Sequence, residues 1–298
     1  MTKTTHTTPL VVITGAGGFL GSALTQHFSD KGWRVRALVR DVTRYKNTAS
    51  VQYQHFDLED FTPQALKGAD YLVHAAFIKY DRLHADALEQ NVAAAQKLIT
   101  ASRQYGLKRN VFISSMSSHD EAVSVYGRQK LAVEGLFNTK CDVSLRPGLI
   151  MGAGGIVQTM AKFMKSKHVV PLVDGGKQPL QIVALQDLVD VIDHAITKDV
   201  SGVLTIATPE VYSYRQFYQE LAKSIGVSVL FVPVPFWLLL GVMRTIAALH
   251  LPLNIGEDNL WGLKMLRSAD NAADLRRLGV KLRTLGQVLD DMRNSGQL

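Results

Sequence analysis

Short β-branched runs alternate with longer helix-like runs through the first two-thirds of the chain. "LVVIT" (10–14) is followed by "GFLGSALTQHFSDKG", then by "RVRALVR" (34–40) and "VQYQHFD" (51–57). "PQALKGA" leads into "DYLVHAA" (70–76), and the long run "LHADALEQNVAAAQKLITASRQYG" leads into "NVFISS" (110–115). A helix from about Tyr126 then leads into "DVSLRPGLIMG" (142–152). Strands joined by helices of this length predict βαβ units, and continuous apolar strands predict a parallel sheet covered on both faces. From about residue 209 the pattern turns mostly helical, with "YRQFYQELAKSIG" the clearest helix. The expected fold class is therefore α/β: a doubly wound parallel-sheet (Rossmann) domain with a smaller, mainly helical C-terminal substrate domain. We assign 1–152 and 181–208 to the first, and 153–180 and 209–298 to the second.

Composition narrows the function classes. The chain has 298 residues, of which 47% are hydrophobic and 20% charged, as expected of a packed globular protein. A net charge of +7 admits nucleic acid, an acidic membrane surface or phosphate-bearing ligands as partners. No basic block stands out beyond "RDVTR" (40–44), which favours phosphate-bearing small molecules over nucleic acid. The one cysteine, Cys141, fits a reducing compartment, and its context "TKCDVSL" predicts a buried structural thiol. The polar start "MTKTTHTTP" reads as a frayed lead-in without the apolar core of a signal peptide, so the expected location is the cytoplasm. The most apolar run, "LFVPVPFWLLLGVM", is broken by Pro233 and Pro235 and followed by Arg244, so it falls short of the roughly 20 apolar residues a bilayer span needs; it opens the apolar stretch 230–254. It predicts a core helix of the small domain; a lining for an apolar substrate and a homodimer surface are the alternatives. Trp237 and Trp261 are expected as core anchors. The histidines, His74, His119 and His250 among them, show no metal-ligand spacing.

The strongest local signal is "VVITGAGGFLGSAL". It places Gly15, Gly18 and Gly21 after a strand and at the head of a helix. Glycines there permit a tight turn and close approach of backbone to a pyrophosphate, while the helix start at Phe19 and Leu20 offers N–H groups and a partial positive charge. A dinucleotide site follows. At the next strand end an acid would bind the ribose 2′-OH of NAD, whereas an arginine accommodates the 2′-phosphate of NADP. Val39 stands where the acid is expected and Arg40 follows, with Arg44 as a second contact, so NADP is favoured and NAD remains open. Asp41 lies past the expected strand end.

"SVYGRQKLAVEG" (124–135) sets Tyr126 four residues before Lys130. On a helix these share a face at roughly 6 Å, close enough for the ammonium to favour an ionised phenol. With the glycine turn in the same chain, the sequence resembles the extended short-chain dehydrogenase/reductases, the NAD-dependent epimerase/dehydratase group. That group also holds dihydroflavonol reductases and 3β-hydroxysteroid dehydrogenases. The resemblance covers residues 10–210 well and the rest loosely. It rests on six ordered segments: the glycine turn, "FDLED", "VHAA", "EQNVAAAQKLITA", "NVFISSMSS" and "LRPGLIMG".

The resemblance implies that Asp57 and Leu58 contact the adenine, and that Ala75, Ala76, Asn91 and Pro147 line the cofactor. It makes Ser115 the catalytic hydroxyl, with Ser117 the near alternative, and Tyr126 the acid/base. Lys130 is its helper and a contact to the nicotinamide ribose. It also implies a nucleoside-diphosphate-sugar epimerase or reductase acting at a carbinol or carbonyl carbon. Two departures weaken that reading without excluding it, and the alternative is a reductase of a non-nucleotide, apolar ketone or aldehyde, favoured by Leu180 and the apolar 230–254 stretch. Ten residues, "MSSHDEAVSV", separate Ser115 from Tyr126, where sugar-nucleotide members carry a longer loop. Leu180 falls where many of them have a diphosphate-binding arginine, although Arg215, Arg244 or Arg267 could substitute. A cofactor-binding scaffold without turnover is the remaining alternative, against which the intact Ser115, Tyr126 and Lys130 argue.

Overall fold

The computed structural model describes residues 8–78, 86–248 and 256–298. Residues 1–7 of the expected N-terminal lead-in, the first residues of the long helical run (83–85) and His250 lie outside the described residues. In chain order the elements are β1 (Leu10–Thr14), α1 (Phe19–Asp30), β2 (Arg34–Val39), β3 (Val51–His55), β4 (Tyr71–His74), α2 (Ala87–Tyr105) and β5 (Arg109–Ile113). There follow α3 (Val125–Glu134), β6 (Asp142–Pro147), β7 (Leu149–Met151), α4 (Ile156–Lys167), β8 (Val169–Val173), β9 (Pro179–Leu180), β10 (Ile182–Ala184) and α5 (Leu185–Thr197). The chain ends with β11 (Gly202–Ile206), β12 (Tyr212–Ser213), α6 (Tyr214–Ser224), β13 (Leu230–Val234), α7 (Phe236–Ala248), α8 (Glu257–Lys264), α9 (Ala272–Leu278) and α10 (Leu285–Asn294).

A seven-stranded sheet runs in the order β11-β6-β5-β4-β1-β2-β3. The registered pairs from β3 across to β6 are parallel. All five residues of β1 and of β5 are buried, which explains why these strands show no polar alternation: helices cover both faces. The order reverses between β1 and β4, and the crevice at such a switch point is where doubly wound sheets take ligands.

The chain forms two compact units. The first comprises the chain up to Ile113 with Ala132–Leu145 and Val189–Val203. Its core holds Val12, Leu38, Phe56, Leu66, Leu72 and Leu98, with a satellite of Ile99, Phe112, Val133 and Phe137. α2 closes on Gly106 at φ 68°, a left-handed end that glycine takes without strain. The second unit comprises Ser114–Leu131, Arg146–Leu188 and Leu204–Leu298. Its core gathers Met151, Met164, Leu172, Ile182, Phe217, Leu221, Leu285 and Met292. Beside its helices it contains the parallel pairs β7·β10 and β8·β13 and the antiparallel pair β9·β12. α6 begins with a capping box in which Ser213 and Gln216 satisfy each other's backbone N–H groups.

Three sequence expectations are corrected. Cys141 is exposed rather than buried, because β6 begins one residue later and Cys141 sits in the preceding turn, donating its N–H to Thr139 Oγ1. Trp237 is no core anchor; it is 72% exposed. The apolar stretch around it is not a core helix either, since none of the described side chains of α7 from Phe236 to Thr245 is buried. Trp261 is half-buried, edge-on to Phe236 with ring centres 4.8 Å apart, and donates Nε1–H to Glu257.

Candidate active site

In the first unit, β1 delivers the chain into a turn that glycine alone permits. Gly15 has φ +69°, and a Cβ there would lie 2.8 Å from Ala76 N. A Cβ on Gly21 would lie 2.1 Å from Gly15 O, so the first turn of α1 sits directly on the loop. Thr14 ties the turn to the end of β4. Its hydroxyl accepts N–H bonds from Ala75 and Ala76, both at 3.1 Å, and lies 2.8 Å from His74 Nδ1. A hydroxyl accepting two bonds has its proton left to donate, which sets His74 as a structural partner with its proton on Nε2. Gly18 caps α1 without a side chain, leaving the helix N-terminus open. The arrangement is a backbone cradle at the switch point, with no room for Cβ atoms at Gly15 and Gly21; these residues fit a dinucleotide pyrophosphate.

The other expected cofactor residues of this unit occupy defined places. Arg40 is exposed just past β2, beside the buried Val39. Asp41 turns onto its own loop: it accepts from Thr43 N, Thr43 Oγ1 and Arg44 Nε. Those bonds, the Thr43 hydroxyl first, hold its carboxyl below the usual value. Arg44 is thus committed to Asp41, while Arg40 carries no such bond to it. Asp57 accepts from Glu59 N, and Leu58 is buried. Asn91 is buried on α2, where its amide donates to Ile78 O and Ala87 O and accepts from Ile78 N. It therefore latches the segment that follows "VHAA". Tyr45, absent from the sequence expectations, stacks on Tyr53 and brings its hydroxyl so close to Gly17 that a Cβ there would meet it at 2.3 Å.

In the second unit, Ser115, Tyr126 and Lys130 come together. The Tyr126 hydroxyl is hydrogen-bonded with the Ser115 side chain. Ser115 Oγ also accepts from Ser117 N at 3.1 Å, so the hydroxyl that meets the phenol is that of Ser115. The buried Lys130 ammonium lies 5.8 Å from the Tyr126 ring centre. Burial pushes the phenol pKa up, and the Ser115 bond pulls it down without reversing the direction. Desolvation is the largest cause, so the shift is toward the neutral phenol, against the pull expected from the ammonium. Pro147, at the end of β6, accepts from Met116 N and ties the Ser115 segment to that strand.

Two positioning residues carry no sequence signal of their own. Gly127 lets α3 approach the serine segment, since a Cβ there would lie 2.4 Å from Ser117 O. Asp258, on α8, receives the N–H groups of Val125 at 2.5 Å and Tyr126 at 3.2 Å. A carboxylate at a helix N-terminus satisfies free donors and complements the dipole, so Asp258 fixes the start of the helix bearing Tyr126. Its 132-residue separation from Tyr126 hides it from any local pattern.

Leu180 is buried in the core of this unit. The arginines considered as its substitutes are engaged elsewhere. Arg215 donates to Gly175 O and lies over Phe231, Arg244 pairs with Glu257, and Arg267 pairs with Glu121.

Residues 11–207 match the family described as NAD dependent epimerase/dehydratase. A ceramide reductase of Caulobacter vibrioides is 33% identical over 153 residues, 49% of this chain and 47% of that protein. A 2-alkyl-3-oxoalkanoate reductase of Stenotrophomonas maltophilia is 32% identical over 116 residues, 36% of this chain and 33% of that protein. The matches thus span less than half the length of these curated relatives. Among solved structures, MoeE5 in complex with UDP-glucuronic acid and NAD superposes with a TM-score of 0.72, covering 96% of this chain and 99% of that one at 21% identity. At that identity the likeness concerns the fold.

Proposed function

We propose that this chain, which belongs to the NAD dependent epimerase/dehydratase family, is a reductase of a non-nucleotide carbonyl compound bearing an apolar chain. As a member it is an NAD-dependent oxidoreductase or epimerase. The single observation that carries the catalytic part of the reading is the Tyr126 hydroxyl bonded to Ser115 beside the buried Lys130.

Gly15, Gly18, Phe19, Leu20 and Gly21 would hold the pyrophosphate of the dinucleotide, and Asp57, Leu58, Ala75, Ala76 and Pro147 would line it. When bound, the nicotinamide supplies the hydride that adds to the carbonyl carbon. Tyr126 gives its phenolic proton to the carbonyl oxygen, so the C=O double bond becomes C–H and O–H. Ser115 donates a hydrogen bond to the same oxygen as negative charge grows there. The tyrosinate left behind is stabilised by the Lys130 ammonium one helical turn away, and solvent returns the proton. Arg40, exposed and free of Asp41, supports NADP over NAD.

The apolar carbonyl is supported by the buried Leu180 and by the prior engagement of Arg215, Arg244 and Arg267. It is supported further by the sequence likeness to two reductases, one named for ceramide and one for 2-alkyl-3-oxoalkanoates. The second reading, a nucleoside-diphosphate-sugar epimerase or reductase, rests on the likeness over nearly the whole chain to MoeE5 in complex with a UDP-sugar. The test is cofactor oxidation, followed by absorbance, with 3-oxoacyl and long-chain ketones set against UDP-glucose and UDP-glucuronic acid. Turnover of the ketones alone is expected. Turnover or tight binding of the UDP-sugars alone would select the second reading.

A further inference from the structure

The C-terminal third carries an apolar face that neither core absorbs. On β13, Leu230 and Val232 point the same way and are 67% and 37% exposed. On α7, Trp237 (72%), Leu238 (45%) and Val242 (47%) are exposed together with Gly241 and Thr245. At about 100° per residue these five positions fill one arc of about 140°, whereas the half-buried Phe236, Leu239, Leu240 and Met243 fill the opposite side. The helix is apolar on both sides, and one of them is turned outward. Isolated exposed apolar residues are ordinary, but a contiguous set ending in a tryptophan marks an interaction surface.

The charge around the face says what covers it. Residues 221–256 contain no Asp or Glu, and neither do residues 156–173. Leu230 pairs with Val169 and donates its N–H to His168 O, which puts the end of α4 beside the strand. That end carries the exposed Lys162, Lys165 and Lys167. The carboxylates that do touch α7 are already paired: Asp174, which accepts from Phe236 N, with Lys264, and Glu257 with Arg244. Among the described residues no helix is long and apolar enough to cross a membrane. We infer that β13 and α7 form an interfacial docking face for an anionic lipid bilayer. The apolar arc enters the headgroup–acyl boundary and the α4 lysines meet the lipid phosphates. The inference does not depend on the catalytic reading, because binding is read without turnover.

The test is co-sedimentation of the full chain with vesicles of phosphatidylcholine, with or without phosphatidylglycerol, at low and high salt. The expected result is salt-sensitive binding to the anionic vesicles, with a blue shift of tryptophan emission that Trp237→Phe removes. Leu238→Glu with Val242→Glu should weaken partitioning by about ten-fold or more, because two charges would have to enter the apolar boundary. Lys165→Gln with Lys167→Gln should weaken it by about five-fold per lysine, leaving the apolar face untouched. All four positions are exposed, and unchanged circular dichroism and melting temperature will show the fold intact. Wild-type protein that stays in the supernatant at every composition overturns the inference, as does equal binding by the Glu variant. A wild-type dimer in light scattering that the Glu variant converts to monomer overturns it too, by giving the face to a second copy of the chain.

Discussion

Replacing Tyr126 by Phe removes one oxygen and little else. The ring keeps its place on α3, and Gly127, Asp258 and the Lys130 stem are untouched. The lost hydrogen bond is to Ser115, whose Oγ still accepts from Ser117 N. A single neutral hydrogen bond contributes about 1 kcal/mol net, so the melting temperature should fall by no more than a few degrees. Catalysis should suffer far more, because a positioned acid accelerates proton transfer by roughly 10²–10⁴-fold, or about 3–5 kcal/mol of barrier. Steady-state cofactor oxidation gives kcat and KM, and fluorescence quenching gives NADPH affinity. We expect kcat to drop at least a hundred-fold with affinity for the cofactor unchanged. The wild-type pH profile adds an independent check. Reduction uses the protonated phenol, and burial raises its pKa above the ordinary value of 10.0. The protonated form is therefore complete through neutral pH and is lost only as pH rises past that value. A variant rate within three-fold of wild type, or a wild-type kcat/KM that falls off below about pH 9, would refute the reasoning.

Three further outcomes are expected. Arg40→Ala should cut the preference for NADPH over NADH by about ten-fold, read as the ratio of the two dissociation constants, because a charged contact to the 2′-phosphate is lost. Asp258→Ala should cost about 1–2 kcal/mol in urea denaturation, the usual effect of removing a helix N-terminal acceptor. It should lower kcat more than it raises KM, since the residue fixes the helix that carries Tyr126. Finally, burial raises the phenol pKa of Tyr126, Tyr214 and Tyr218. The unfolded chain loses those protons near pH 10 while the folded chain keeps them, so stability is full below that pH and declines as pH rises beyond it. Denaturation midpoints measured between about pH 8 and 11 will show the decline.

Much of this architecture was legible because local and global signals agree. β1 and β5 read as unbroken apolar runs because they are buried on both faces, and the glycine turn stands out because Gly15 and Gly21 have no room for a side chain. The proximity of Tyr126 and Lys130 was legible through a four-residue spacing on one helix, and Ser115 came only from the family resemblance. What the sequence hid depends on distance or on environment. Asp258 reaches Tyr126 from another element, and a lone aspartate at residue 258 announces nothing. Asp41 was set aside because it lies past the strand end, and its oxygens are in fact spent on Thr43 and Arg44, a local bond pattern that spacing does not reveal. The spacing showed only the lysine's pull toward the ionised phenol; burial, which a helical wheel does not contain, pushes the other way. Trp237 and its neighbours were expected in the core because they are apolar. Hydropathy reports what a residue prefers and not which side of an edge strand or a helix faces outward.

The most direct measurement follows a label. The protein is incubated with NADPH deuterated at nicotinamide C4 and each ketone of the panel, and the products are analysed by mass spectrometry. The account expects one deuterium on the new carbinol carbon with wild type and none above background with Tyr126→Phe. Cofactor that binds but passes no deuterium to any ketone or UDP-sugar, or a Tyr126→Phe variant that forms labelled product as fast as wild type, would contradict it.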